Sequence, residues 1–81
     1  MASRARIFAD FHNADRTGRL RLNVRGALDD VAAQGLELCD GFEVILTDYE
    51  EFEVDGVVAW SAEESIWVGV IDWNQLRRLD P

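Results

Sequence analysis

The chain has one cysteine, one histidine, one proline and no lysine among its 81 residues. A single cysteine excludes a disulfide framework, and one cysteine with one histidine cannot close a zinc site. The longest uninterrupted apolar run is four residues, Val57 to Trp60, far short of a membrane-spanning helix. Met1-Ala2-Ser3-Arg4-Ala5-Arg6 contains no apolar stretch of the length a secretory signal needs, so a cytoplasmic protein is expected. What is present argues for a folded chain. Hydrophobic residues make up 48% and eight residues are aromatic, which excludes a disordered polymer. At 9.2 kDa the expectation is one domain over 1–81 with one modest core.

Charge is plentiful and uneven. The net charge is −8. Residues 1–25 carry six arginines against Asp10 and Asp15, whereas residues 26–76 carry thirteen carboxylates and no basic residue. Arg77 and Arg78 restore some positive charge at the end. Such a field repels nucleic acid over most of the surface and attracts basic partners. The basic first segment could also pair, strand against strand, with the acidic middle.

The hydrophobic period is mostly two. Ile7, Ala9 and Phe11 alternate with Phe8, Asp10 and His12, which predicts a strand over 4–12. Asn13 to Gly18 is a turn cluster, and Leu20, Leu22 and Val24 alternate with Arg19, Arg21 and Asn23, so the first two strands are expected to form a hairpin. The segment 27–34 is the one helical pattern, with Leu28, Val31 and Ala32 on one face, Asp29 and Asp30 in the first turn and Gly35 as its stop. Strands are then expected over 36–38, 42–46, 52–54, 57–60 and 66–71, with Asp40-Gly41 as a turn signal, Asp55-Gly56 as a turn or bulge signal and 61–65 as a polar loop. Asp72 caps a short C-terminal helical turn.

Five to six short strands and one short helix point to a mainly β fold, a small antiparallel barrel. The order Leu36-x-Leu38-x-x-Gly41-x-x-Val44-x-Leu46, then Asp55-Gly56-x-Val58, a hairpin to Trp67 and a short helical turn resembles an SH3-like barrel. Ala9-Asp10-Phe11-His12-Asn13-Ala14-Asp15, Gly18-Arg19-Leu20-Arg21-Leu22-Asn23 and Ile71-Asp72-Trp73 resemble a group of short bacterial proteins. That resemblance implies no activity, cofactor or site residue.

Four constellations bear on chemistry. Asn13-x-Asp15-x-Thr17-Gly18-x-Leu20 imitates the first half of a calcium loop, but Val24 stands where the bidentate glutamate belongs, so a self-satisfied hairpin loop is expected. Asp48, Glu50, Glu51, Glu53 and Asp55 form an acidic run. On a strand, Glu51, Glu53 and Asp55 share one face at about 7 Å spacing, too wide to hold one ion, and the run reads as a solvated face able to dock Arg or Lys side chains. His12 and Cys39 are the only nucleophile–base candidates, and they lack an orienting third group or an oxyanion motif. In strand 66–71 both faces are apolar: Ile66, Val68 and Val70 on one, Trp67, Gly69 and Ile71 on the other, the latter leading to Trp73. Gly69 would leave a shallow slot there for a ring or a proline.

The expectation is therefore a non-enzymatic protein-binding module without metal or cofactor. Its partner surface would combine Tyr49, Glu51, Glu53 and Asp55 with Trp67, Ile71 and Trp73 to hold a basic protein segment. One form of this is an antitoxin or immunity-type inhibitor of a basic enzyme. The alternative class is single-stranded nucleic-acid binding through an arginine ladder of Arg19, Arg21 and Arg25.

Overall fold

The computed structural model describes residues 4–79. Six strands form one sheet: β1 (Ala5–Phe8), β2 (Leu20–Arg21), β3 (Glu43–Thr47), β4 (Phe52–Ser61), β5 (Ile66–Ile71) and β6 (Arg77–Arg78). Helix α1 (Arg25–Gln34) lies between β2 and β3, and a 3-10 turn (Trp73–Gln75) lies between β5 and β6. The strand path is β1-β3-β4-β5-β2, with β6 added to β4. The fold is mainly β, as the alternation predicts. The sheet is open, since β1 and β2 end the path without pairing, so the closed barrel expected from sequence is not observed. No helix among the described residues is long and apolar enough to cross a membrane.

The first two strands do not form the expected hairpin. β1 pairs in parallel with β3, Ile7 opposite Leu46, while β2 pairs antiparallel with β5. Residues 10–12 leave the sheet in a turn closed by Asn13 N–H to the Asp10 carbonyl. Residues 36–38 form no strand. Asp55-Gly56 is not a turn, because β4 runs through it.

The reason for Gly56 is packing. Ile7, Leu20, Val44, Leu46, Val54 and Val58 are fully buried and form the core on one face of the sheet. Leu46 reaches across β4 and lies over Gly56 and Gly69. A Cβ on Gly56 would come within 3.1 Å of Leu46 Cδ1, and one on Gly69 would overlap that same methyl. The slot at Gly69 therefore exists, and a leucine of the same chain fills it. Two glycines let the sheet coil tightly enough for three neighbouring strands to share one core.

Helix α1 starts at Arg25, so Asp29 and Asp30 sit in its second turn. Gly35 ends it with φ 63, a left-handed conformation glycine adopts without Cβ strain. Ala27 is buried in the core and Val31 packs against it, Asp30 and the exposed Gln34 turn toward β1, and Leu28 is 53% exposed. The expected apolar stripe fails because the helix packs on a strand edge, not on a sheet face. In a parallel pair alternate residues point their peptide groups away from the partner. Ala9 N–H bonds Thr47 on β3, so Arg6 and Phe8 face outward. Asp30 Oδ2 accepts the Phe8 N–H at 2.8 Å, and Gln34 Nε2 donates to the Arg6 carbonyl at 2.7 Å. Two side chains four residues apart thus stand in for a missing strand.

Candidate functional site

Three segments meet at one end of the sheet. The turn after β1 brings Asp10, Phe11 and His12, the β3–β4 hairpin brings Asp48, Glu50, Glu51 and Phe52, and the 3-10 turn brings Trp73 and Leu76. Together with Phe8 they enclose an open cleft of about 620 Å³, within the range of small ligand sites.

Phe11 ties the three segments together. It meets Phe52 edge to face at 6.0 Å between centroids, and Trp73 likewise at 6.3 Å. Trp73 is held by its indole N–H, which donates to the Gly18 carbonyl at 2.8 Å, yet it stays 40% exposed. Asp72 caps the 3-10 turn by accepting the Asn74 N–H, as the sequence predicts. The ring that faces the cleft is therefore fixed from both ends of the residue.

The acidic hairpin is equally fixed. Asp48 Oδ1 accepts the backbone N–H groups of Glu50, Glu51 and Phe52 at 3.0, 2.7 and 3.0 Å. Burial opposes charge on Asp48, but these three hydrogen bonds outweigh it and hold the carboxyl below the usual range. Tyr49 takes φ 62, rare for a residue with a Cβ. Its N–H donates to Thr47 Oγ1 and its hydroxyl to Asp30 Oδ2, while burial first and that carboxylate second push its pKa up. Asp48 is thus spent on shaping the loop. Glu50 and Glu51 project from it, exposed.

The balance of ion pairs sets the electrostatics. Arg4, Arg6, Arg16, Arg19, Arg21, Arg25 and Arg77 each approach a carboxylate within 4 Å. Arg78 lies over the Phe52 ring, 5.6 Å from its centroid. All eight arginines are thereby engaged within the molecule. Eight carboxylates among the described residues have no such cation, and Asp10, Asp48, Glu50 and Glu51 of these line the cleft. Half of the unpaired carboxylates thus stand beside the aromatic rings of the cleft.

The sequence-derived partner residues separate into two groups. Glu51 and Trp73 lie in the cleft, and Tyr49 supports its loop. Glu53 and Asp55 lie outside it, tied to Arg6, Arg77 and Arg4 in a network across β1, β4 and β6. Trp67 and Ile71 are half-buried against the core, Trp67 edge to face with Trp60 at 5.0 Å. Phe8, Asp10, Phe11, Phe52 and Leu76 were not singled out by sequence. Asp10 to Asn13 could have signalled a turn in place of a strand, which would have freed Phe11 from the sheet.

The other constellations are placed too. Asp15 is buried, and Oδ1 accepts from Thr17 N–H, Thr17 Oγ1 and Arg19 N–H, while Oδ2 accepts from Arg19 Nε at 3.0 Å. Burial raises the cost of its charge, but these donors win and bring its pKa to about 2. Its oxygens face internal donors and not a cation site. In the arginine ladder Arg19 is held by Asp15, Arg21 forks onto both Glu64 oxygens at 2.7 and 2.8 Å, and Arg25 remains at the surface. His12 lines the aromatic cleft and Cys39 lines a separate depression beside Arg4 and Glu43. Comparison with protein-family models, curated proteins and solved structures finds no match to this chain.

Proposed function

We propose that this chain is a non-enzymatic binding module that seats a cationic side chain of a basic protein segment in the Phe11–Trp73 cleft. The observation that carries the reading is the meeting of the Phe11 and Trp73 rings with carboxylates that carry no ion pair, in a molecule where seven of the eight arginines lie against other carboxylates and Arg78 lies over Phe52 in the cleft lining. A guanidinium or ammonium gains about 0.5–2 kcal/mol over an aromatic face, depending on desolvation. Its hydrogen bonds to a carboxylate are about twice as strong as neutral ones. Asp10, Glu50 and Glu51 supply those oxygens, and the hairpin that holds the two glutamates is already ordered, so little entropy is lost on binding. An antitoxin or immunity-type inhibitor of a basic enzyme in the cytoplasm is the form of this function in which the partner is itself an enzyme. The element order, with a 3-10 turn before a short last strand, supports reading the coiled sheet as an open relative of the SH3-like barrel.

The test is an NMR titration of the full chain with a short acetylated peptide carrying a single arginine, and with the same peptide carrying glutamate. The arginine peptide should shift the signals of Phe11, Glu50 and the Trp73 indole N–H. Those shifts should shrink as salt rises and disappear in a Glu50→Arg, Glu51→Arg variant. Unchanged shifts in that variant would sink the proposal.

A further inference from the structure

We propose that the basic partner segment also adds to β4 as an extended strand, taking the position that β6 occupies, with two consecutive arginines over Phe52, Glu53 and Asp55. This rests on the cleft reading and names the partner more closely.

The molecule displays the recognition on itself. β6 is only Arg77–Arg78, both exposed. It pairs antiparallel with β4, Arg78 opposite Phe52 and Arg77 opposite Glu53, and the Leu79 N–H extends the ladder to the Glu51 carbonyl at 2.8 Å. Arg77 reaches Asp55 at 3.2 Å and Glu53 at 3.6 Å, and Arg78 covers the Phe52 ring. One basic dipeptide thus satisfies two carboxylates, one ring and the strand edge together.

The topology explains why this place can change occupants. β3 lines one side of β4 from Glu53 to Val57, and β5 lines the other side only from Gly56 to Ser61. On that second side Phe52 and Glu53 have no partner but β6. A two-residue, exposed strand paired to β4 alone is held by few hydrogen bonds, the kind of element whose local opening costs least. Opening it leaves a short strand edge whose flanks are Glu51, Glu53 and Asp55 and whose neighbour is the aromatic cleft. Main-chain pairing at such an edge supplies affinity, and the side-chain pockets supply selection. The occupant selected here is an extended segment with adjacent arginines, the second of them placed to reach toward Phe52.

The probe is the synthetic peptide acetyl-Gly-Gln-Leu-Arg-Arg-Leu-Gly-amide, added to the full chain and to its Arg77→Ala, Arg78→Ala variant. Melting curves check that the variant is folded. Binding should be tighter to the variant by about tenfold or more, because its resident strand no longer competes. In the unmodified chain the amide signals of Arg77 and Arg78 should move to unstructured positions as peptide is added, and peptide protons should show contacts to Phe52 Hα. Binding of equal strength to both chains, with the tail signals unmoved, would overturn strand exchange. If the shifts then centred on Phe11, Glu50 and Trp73, the cleft reading would stand alone. No binding to the folded variant would overturn the inference as well, and the single-arginine titration above would decide the cleft separately. A concentration-dependent dimer with exchanged tails would replace the partner by a second copy and equally overturn it.

Discussion

Gly69→Ala is the sharpest test of the packing described above. The new Cβ would coincide with the space of Leu46 Cδ1, in a fully buried position. Overpacking of this kind costs about 1–3 kcal/mol. In a domain of this size each kcal/mol lowers the melting temperature by roughly 4–8 °C. Leu46→Ala alone should cost about 2–5 kcal/mol, since it empties the middle of the core. The double variant is the informative one. With the leucine methyls gone, the alanine at 69 enters vacated space, and its penalty should vanish or reverse. The two changes should therefore couple by about 1–3 kcal/mol in a double-mutant cycle. Urea unfolding followed by tryptophan fluorescence measures all four corners. Additivity within about 0.3 kcal/mol would show that Leu46 does not sit on Gly69, and the account of how the sheet coils would fall with it.

Asp15 gives the pH dependence. Its folded pKa is about 2 against an ordinary 3.8, so the group stabilises the fold at neutral pH and loses that contribution as pH falls from about 4 through 2. The amount is about 2 kcal/mol. Asp15→Ala should be destabilised at pH 7, and the gap to the unmodified chain should close across that window; a constant gap would refute it. Gly26→Ala replaces a helix glycine, which alone would stabilise by about 1 kcal/mol. The added Cβ would stand 2.7 Å from the Phe8 ring, so a net loss of stability is expected on thermal melting, and a gain would show the Phe8 packing to be wrong.

Where residues act locally, the sequence was readable. Gly35 stops the helix, Asp72 caps the turn, Gly41 has φ 87 at its predicted turn, and strand 66–71 falls where alternation put it. The charge split also reads through, since Arg4 and Arg6 meet Glu43, Glu53 and Asp55 across strands. What was not readable is who pairs with whom. A parallel β1–β3 contact leaves the same alternation as a hairpin. Gly56 looks identical whether it turns the chain or makes room for Leu46. The acidic run divides by its partners, Glu53 and Asp55 paired with arginines and Asp48, Glu50 and Glu51 not, which no spacing rule within the run reveals. Period two assigns Phe11 to a strand that in the structure ends at Phe8.

The Asp30 and Gln34 contacts to β1 do more than cover an edge. They are a parity check. A slip of β1 by one residue along β3 would turn Arg6 and Phe8 toward β3 and present Ile7 outward, rotating its side chain out of the core. The helix would then find no N–H and no carbonyl at the required spacing. The strand and helix residues concerned are 22 and 28 apart in sequence, whereas Arg4 and Glu43 at the β1–β3 junction are 39 apart. The shorter loop closes at less entropic cost. The helix contacts are therefore the more local of the two sets that fix which side of β1 faces in.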